Sequence, residues 1–367
     1  MAAPVVRVSV QALRDDFEQV FAGLAERGDA VWVEAGKQRF LLVNGAEQVH
    51  EVLVARSADL VKPRSQAIDT GPARAEPPLD FDLGTVRREV TGDLAGADSA
   101  AAAIAAAALE TATWVDGSTV ELMPALRRIA IRTYSPGIDD ADVERLDRVL
   151  RWLDDAPRVL PASRFGKYSL QRAAMQRELS LVVEHIGSDS PVAGDLVLGG
   201  TGPVAQTAGW LLFRFASLPE EAARLRAEWP ATERTEAFVR EVTRLHPTNP
   251  RITRTAVVDT EVAGESVPAA TRVVLNVNAI SRSARFYDEP DRLLPDRWLG
   301  GRPDKFAYLS FGIGERRCLG ETFALSALTA LLPALSSGRR LELVGAETTA
   351  TGRRQLAEGT RALVSVC

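Results

Sequence analysis

Near the carboxyl end of the chain, Phe311-Gly312-Ile313-Gly314-Glu315-Arg316-Arg317-Cys318-Leu319-Gly320 runs directly into the apolar segment Glu321 to Leu335. This order predicts a loop that presents a sulfur at the start of a helix. Cysteine ligates a metal as the thiolate, and the unpaired N–H groups of a first helical turn lower a thiol's pKa. Glycines 312, 314 and 320 let the backbone turn tightly and approach a flat ligand where a Cβ would collide. Their N–H groups can point at the sulfur, and such hydrogen bonds set how much electron density a thiolate donates. An ordinary buried thiol is the plain alternative.

The ten residues match the pattern F-G-x-G-x-R-x-C-x-G at every fixed position. In this the chain resembles the cytochrome P450 superfamily, whose haem-binding loop carries that pattern, and the resemblance extends over nearly all of the sequence. It implies haem b, with Cys318 as axial ligand of the iron and Phe311, Gly312 and Gly320 shaping the cradle. Buried propionates need cationic donors, for which the arginine fork is suited. Three arginines align with the family's propionate ligands: Arg316, Arg254 thirteen residues after Glu241, and Arg87 in the place of the arginine of an H-x-x-x-R motif. Leu83 stands where that motif has its histidine.

Glu241-Val242-Thr243-Arg244 places an acid and a guanidinium three residues apart on one helical face, a spacing that any solvated helix can show. Leu245-His246-Pro247 follows, and Pro295-Asp296-Arg297-Trp298 precedes the cysteine loop. Together these resemble the family's Glu–Arg–Arg triad, here Glu241, Arg244 and Arg297, whose implied role is support of the haem loop. The central helix holds the largest departure. Aligned on Trp210 and Pro219, Gly199-Gly200-Thr201-Gly202-Pro203-Val204 falls where the family has A/G-G-x-D/E-T-T/V, so Gly202 takes the acid position and Pro203 the alcohol position. That pair supplies protons for dioxygen activation. Proline cannot do so, and inside a helix it removes an N–H, frees the Gly199 carbonyl and bends the axis. Thr201, Gly202 and Pro203 are thus the candidate distal residues, with a water network as the other source of protons. The resemblance turns Val197, Leu198, Thr201 and Gly202 toward the substrate, joined by Asn249 and Ile252. Asn249 and Arg251 hint at polar or acidic groups on it.

The surrounding elements follow from periodicity and breakers. Ala30 to Glu34 and Arg39 to Val43, around Gly36, read as a β-hairpin, with a helix beginning near Gly45. Lys62 to Asp82, rich in proline and glycine, reads as a long loop, which the resemblance places over the substrate pocket. Ala100 to Ala108 is alanine apart from Ile104, with Asp98 or Ser99 as N-cap, and reads as a closely packed helix. Helical stretches follow at Val120 to Tyr134, Leu146 to Trp152 and Leu170 to Ile186, with a break at Pro157 to Gly166. Asp195 to Leu218 suits a central buried helix, followed by Glu220 to Trp229 and Glu233 to Leu245. Strands are expected at Thr260 to Ala263, Arg272 to Val277, Leu341 to Val344 and Leu363 to Val366. The expectation is a mainly α fold with small β-sheets, residues 1–367 forming one P450-like domain with haem between the central long helix and the cysteine-loop helix.

The chain has 367 residues, 46% of them hydrophobic, and a net charge of -5, values of a globular protein with no general reason to bind nucleic acid. Two cysteines, one of them the terminal Cys367, make no disulfide framework and no C-x-x-C pair. Met1 to Val10 lacks a basic and an apolar region, and no apolar run nears the ~20 residues of a membrane span, so a cytoplasmic location without a membrane anchor is expected. The implied activity is that of a haem-thiolate oxidoreductase, a monooxygenase tailoring bacterial small molecules with a separate ferredoxin and ferredoxin reductase as electron donors. Pro203 raises the alternative of peroxide-driven or redox-neutral haem chemistry. A non-catalytic docking or sensing protein of the same fold is the alternative from another class, against which stands the whole cysteine loop.

Overall fold

The computed structural model describes residues 2–62, 98–155, 165–186, 193–229, 232–301, 303–344 and 360–366. Arg87, nearly all of the loop expected at Lys62 to Asp82, and the break at 157–164 lie outside them, as does the side chain of Val197.

The amino-terminal region is a sheet. The hairpin is present as β2 (Ala30–Ala35) and β3 (Gln38–Val43), paired antiparallel from Ala30↔Val43 to Ala35↔Gln38. Gly36 takes φ +60 in its turn, a conformation open to a residue without a Cβ. With β1 (Val5–Arg7), β4 (Leu60–Val61), β6 (Arg251–Ala256) and β9 (Arg272–Asn276) it builds six strands in the order β1-β2-β3-β9-β6-β4. Helix α1 (Val10–Ala25) covers one face, packing Phe17, Phe21 and Leu24 on Val31, Val33, Phe40 and Leu42. The short α2 (Glu47–His50) continues into a π-helical turn at Glu51–Ala55. The ribbon of β7 (Thr260–Val262) and β8 (Glu265–Val267) follows β6, and the short α10 (Val277–Ser281) follows β9.

The remainder is helical: α3 (Ser99–Thr111), α4 (Leu122–Tyr134), α5 (Asp140–Asp155), α6 (Phe165–Ile186), α7 (Ala193–Ser217), α8 (Pro219–Glu228), α9 (Glu233–Leu245) and α11 (Glu321–Ser336). Asp98 caps α3 by accepting from the Ala101 N–H, and Ala103, Ala106 and Ala107 are buried. Without longer side chains at those positions, α11 lies close against α3, and its leucines 325, 328, 331, 332 and 335 join the main core. Each such leucine contributes roughly 1.5–3 kcal/mol on leaving water. Helix α7 packs on α4, with Trp210, Leu211 and the alanines 205 and 208 buried in the main core, and Pro219 starts α8 at a position where its missing N–H costs nothing.

One expected boundary is corrected. Val120 and Glu121 are not the start of a helix; they belong to β5 (Thr119–Glu121), paired with β11 (Arg361–Val366) beside β10 (Arg339–Val344). The partner strand lies some 240 residues away in sequence, so local periodicity carries no trace of it. Among the described residues no helix is long and apolar enough to cross a membrane.

Candidate active site

The best-ordered polar cluster surrounds Glu241. Its side chain is fully buried and accepts from five donors: Arg244 Nε and Nη2 at 2.8 Å each, Arg297 Nε at 2.9 Å, Trp298 Nε1 at 2.9 Å and the Leu294 N–H at 3.0 Å. Burial by itself would raise this carboxyl; the hydrogen bonds and charge of Arg244, with Leu294 and Trp298, prevail and hold it below the usual range. Arg244 spends its remaining donors on the carbonyls of Ser281, Pro290 and Arg292 and lies 4.6 Å over the Tyr287 ring. One ion pair thereby pins three turns of the irregular chain that leads to the cysteine. The sequence motifs name Glu241, Arg244 and Arg297, and the structure brings all three together.

The same helix holds the next stretch. Thr243 Oγ1 is 2.8 Å from the Tyr308 hydroxyl, and Ser310 Oγ donates to the Thr243 carbonyl at 2.9 Å. From there Phe311 accepts from the Cys318 N–H at 2.8 Å, closing the loop around a 3-10 turn at Gly314–Arg316. Gly312 and Gly314 take φ +65 and +73. A Cβ at Gly314 would stand 2.7 Å from the Leu53 carbonyl oxygen in the π-helical turn, so glycine is needed there for contact as well as for φ. Gly320 is the N-cap of α11, and its N–H reaches the Cys318 thiol.

The electrostatics of that thiol differ from the sequence expectation. Cys318 is accessible to solvent, yet protein crowds it closely enough that desolvation raises its pKa; the Gly320 N–H and Arg317 oppose this, and Glu321 adds to it. The lowering expected from a helix N-terminus is outweighed first by desolvation, to which the acid at the start of that helix, Glu321, adds. A metal cation held at the sulfur would favour the thiolate.

Arg254 is buried and its Nη1 donates to the Thr253 carbonyl at 3.0 Å. Burial, with Arg316 nearby, lowers its pKa to about 10. Among the described residues neither arginine forms an ion pair with a carboxylate. Two neighbouring guanidiniums without a counter-charge, a thiol hydrogen-bonded by Gly320 and a glycine loop form a donor set that fits a flat dianionic haem.

The distal helix is arranged by faces. Gly199 is exposed with no atom within 4 Å of where a Cβ would be, and Pro203, one turn on, is half-buried. At Gly200 a Cβ would collide with the ring of Tyr134, which also packs on Phe323 of α11 at 4.6 Å and has its pKa raised, first by burial and then by the Cys318 charge. A Cβ at Gly202 would meet Leu150 of α5 at 3.4 Å. Thr201 is fully buried. The expectation places Thr201 and Gly202 toward the pocket, whereas the open face carries 199 and 203: at ~100° per residue 201 points 160° away from 199 into the protein, and 202 lies 60° from 199 on the side away from 203, against Leu150. Leu198 packs toward the α5–α6 cluster. Thr207 is no free donor either, since its hydroxyl is given to the Pro203 carbonyl at 2.8 Å. Asn249 is exposed and Ile252 packs against the sheet core, while Arg251 lies 4.7 Å over Phe17 of α1.

Trp298 closes the Pro295–Trp298 motif but its own role is not legible from it, and no motif marks Tyr134 or Tyr308. On the outer side of the cysteine loop, a groove of about 460 Å³ is lined by Arg240, Trp298, Lys305, Tyr308, Phe311 and Arg317.

The sequence profile of the cytochrome P450 family matches residues 191–337. A putative cytochrome P450 137 of Mycobacterium tuberculosis is 36% identical over 170 residues, 43% of this chain and 35% of that protein, so the matched part spans about a third of that relative's length. The cyclooctat-9-en-7-ol 5-monooxygenase of Streptomyces melanosporofaciens is 25% identical over 404 residues, covering 90% of this chain and 86% of that protein. Cytochrome P450SP alpha (CYP152B1), solved in complex with (R)-ibuprofen, superposes with a TM-score of 0.76 at 17% identity over 97% of this chain and 98% of that one.

Proposed function

We propose, from the premise that this chain belongs to the cytochrome P450 superfamily and is a P450-type oxidoreductase with haem b, that it oxidises a small, largely apolar molecule with peroxide as oxidant. When bound, the haem supplies a thiolate-ligated iron as the oxidising centre. Cys318 would hold that iron, Arg254 and Arg316 would neutralise the propionates, with Arg87 as a further candidate, and Phe311, Gly312 and Gly320 would shape the proximal side. Glu241, Arg244 and Arg297 would keep this loop in place.

One observation carries the choice of oxidant: the open face of α7 offers Gly199 and Pro203, and neither has a proton to give. Hydroxylation from dioxygen, RH + O2 + 2e⁻ + 2H⁺ → ROH + H2O, requires two protons from the protein or solvent. With peroxide, RH + H2O2 → ROH + H2O, both arrive on the oxidant. A helix stripped of its donor suits the second equation, and what it lacks the substrate or a bound water must supply. The Streptomyces relative, named for oxidising cyclooctat-9-en-7-ol, supports a substrate from secondary metabolism.

The dioxygen route is the second reading. The same relative is named a monooxygenase, and the groove beside the cysteine loop, with Arg240, Lys305 and Arg317, suits an acidic electron carrier such as ferredoxin. The experiment is product formed per oxidant consumed in the holoprotein, supplied either with hydrogen peroxide or with ferredoxin, its reductase and NADPH. Efficient peroxide turnover with poor ferredoxin turnover is expected; tight coupling to NADPH with negligible peroxide turnover would transfer the conclusion to the monooxygenase.

A further inference from the structure

Where α7 and α11 end, far from the cysteine loop, a second groove of about 590 Å³ runs between α8 and the start of β10. From Gly199 to Phe215 is sixteen residues, ~24 Å along a helix at 1.5 Å per residue. One wall is aromatic. Phe215 and Trp229 stack at 5.9 Å with their planes 16° apart, and the Trp229 Nε1–H donates to Thr235 Oγ1 at 3.1 Å, which fixes the indole. Arg226 lies 4.6 Å over the Phe215 ring at the edge of this wall. The other wall brings Arg339 and Arg340. Between them Ser336, 4% exposed, has a buried hydroxyl with no hydrogen-bond partner.

Among the described residues the charge has no acidic partner: none of Arg226, Arg339 and Arg340 forms an ion pair, while two of the three acids of the adjoining helix, Glu221 and Glu228, are engaged by Arg224 and Arg234. In a chain of net charge -5, three unpaired arginines beside a fixed aromatic stack make a locally positive and apolar concavity. Its volume lies in the ~300–1,000 Å³ typical of small-molecule sites, which are mostly apolar with a few placed polar groups. We propose that this groove is a second small-molecule site, taking an organic carboxylate with a flat apolar body. The body lies against Phe215 and Trp229, and the carboxylate accepts from Arg339, Arg340 and the Ser336 hydroxyl. This assignment is independent of the oxidant used at the haem.

The test uses haem-loaded protein and sodium 1-naphthoate, followed by calorimetry and by the Soret band. Saturable binding that leaves the Soret band unmoved is expected. The uncharged 1-naphthalenemethanol should bind about tenfold more weakly or worse, because a lost charge-assisted contact is worth about 1.4 kcal/mol or more. R339Q/R340Q and, separately, W229F should weaken naphthoate by a similar factor with haem content and Tm retained. Equal affinity for the acid and the alcohol, unchanged affinity in both variants, binding seen only with a Soret shift, or no binding up to about 5 mM would each overturn the proposal. Arginine-dependent binding of inorganic phosphate or a glutamate-rich peptide in place of naphthoate would also overturn it, in favour of a bare anion or an acidic partner.

Discussion

The two sides of the candidate haem site are built on opposite principles. On the cysteine side one dense polar network holds the chain: Glu241 accepts five hydrogen bonds, Arg244 also donates to three carbonyls, and Thr243 is tied to Tyr308 and Ser310. On the facing helix, residues 199, 200, 202 and 203 have almost no polar side-chain atoms, and what surrounds them is space, Tyr134 and Leu150. A ligand loop must hold its sulfur in one place against the loss of chain entropy, so its support is over-determined. A helix facing reactants needs only a shape and, where the chemistry asks for it, a donor. The difference teaches that positional precision is concentrated on the cysteine side, while the open face of the helix opposite offers shape and no side-chain proton donor.

Breaking the rigid side should have the largest effect. Glu241→Ala leaves two buried arginines unpaired, at a cost of roughly 3–5 kcal/mol, so little haem-loaded protein should be recovered. Full haem content and an unchanged Tm in that variant would show that the network does not support the loop. On the distal side Gly200→Ala drives a methyl into the Tyr134 ring, an overpacking penalty of about 1–3 kcal/mol in unfolding titrations. Gly199→Ala, facing open space one residue earlier, should cost clearly less, and equal losses would remove the assignment of helix faces.

The rigid side should also carry the pH dependence. His246 stacks on Trp210 at 3.8 Å and its Nε2 accepts from Arg214 at 2.9 Å; burial, then the charges of Arg214, Arg282 and Arg244, hold it well below 6.5. Its folded pKa is depressed, so below about 6.5 the unfolded chain binds the proton that the folded one refuses. Stability should fall with decreasing pH, by up to about 1.4 kcal/mol per unit, and His246→Asn should flatten that slope in urea titrations between pH 6.5 and 5. Glu241 acts at lower pH. Its depressed pKa contributes stability that is complete above 4.5 and is lost as pH falls through the folded value.

Pro203→Thr sharpens the comparison by returning an alcohol to the open face. Ferredoxin-driven turnover should rise against peroxide-driven turnover by about a hundredfold, the low end of what a positioned acid supplies. An unchanged ratio would place the proton source elsewhere. The smallest effect is the control: Glu220→Ala on the exposed first turn of α8 should stay within about 0.5 kcal/mol of the parent.

The sequence by itself determined whatever is encoded in neighbours along the chain. The span of α9, Glu233–Leu245, reads directly from 3.6-residue spacing, and the hairpin from alternation about Gly36. The cysteine loop and the three triad residues were legible because each is a short pattern with fixed spacing. Helix α1 was not recognised, and β5 was read as helix because its pairing with Arg361–Leu363 leaves no local mark. What only the tertiary structure decided is which atoms face one another. Thr201 and Gly202 sit two and three residues from Gly199, yet rotation about the helix buries one and turns the other to Leu150. Arg251 faces Phe17 for the same kind of reason. The thiol's pKa was misjudged because a helix N-terminus can be seen in a sequence, whereas desolvation depends on everything packed around the sulfur.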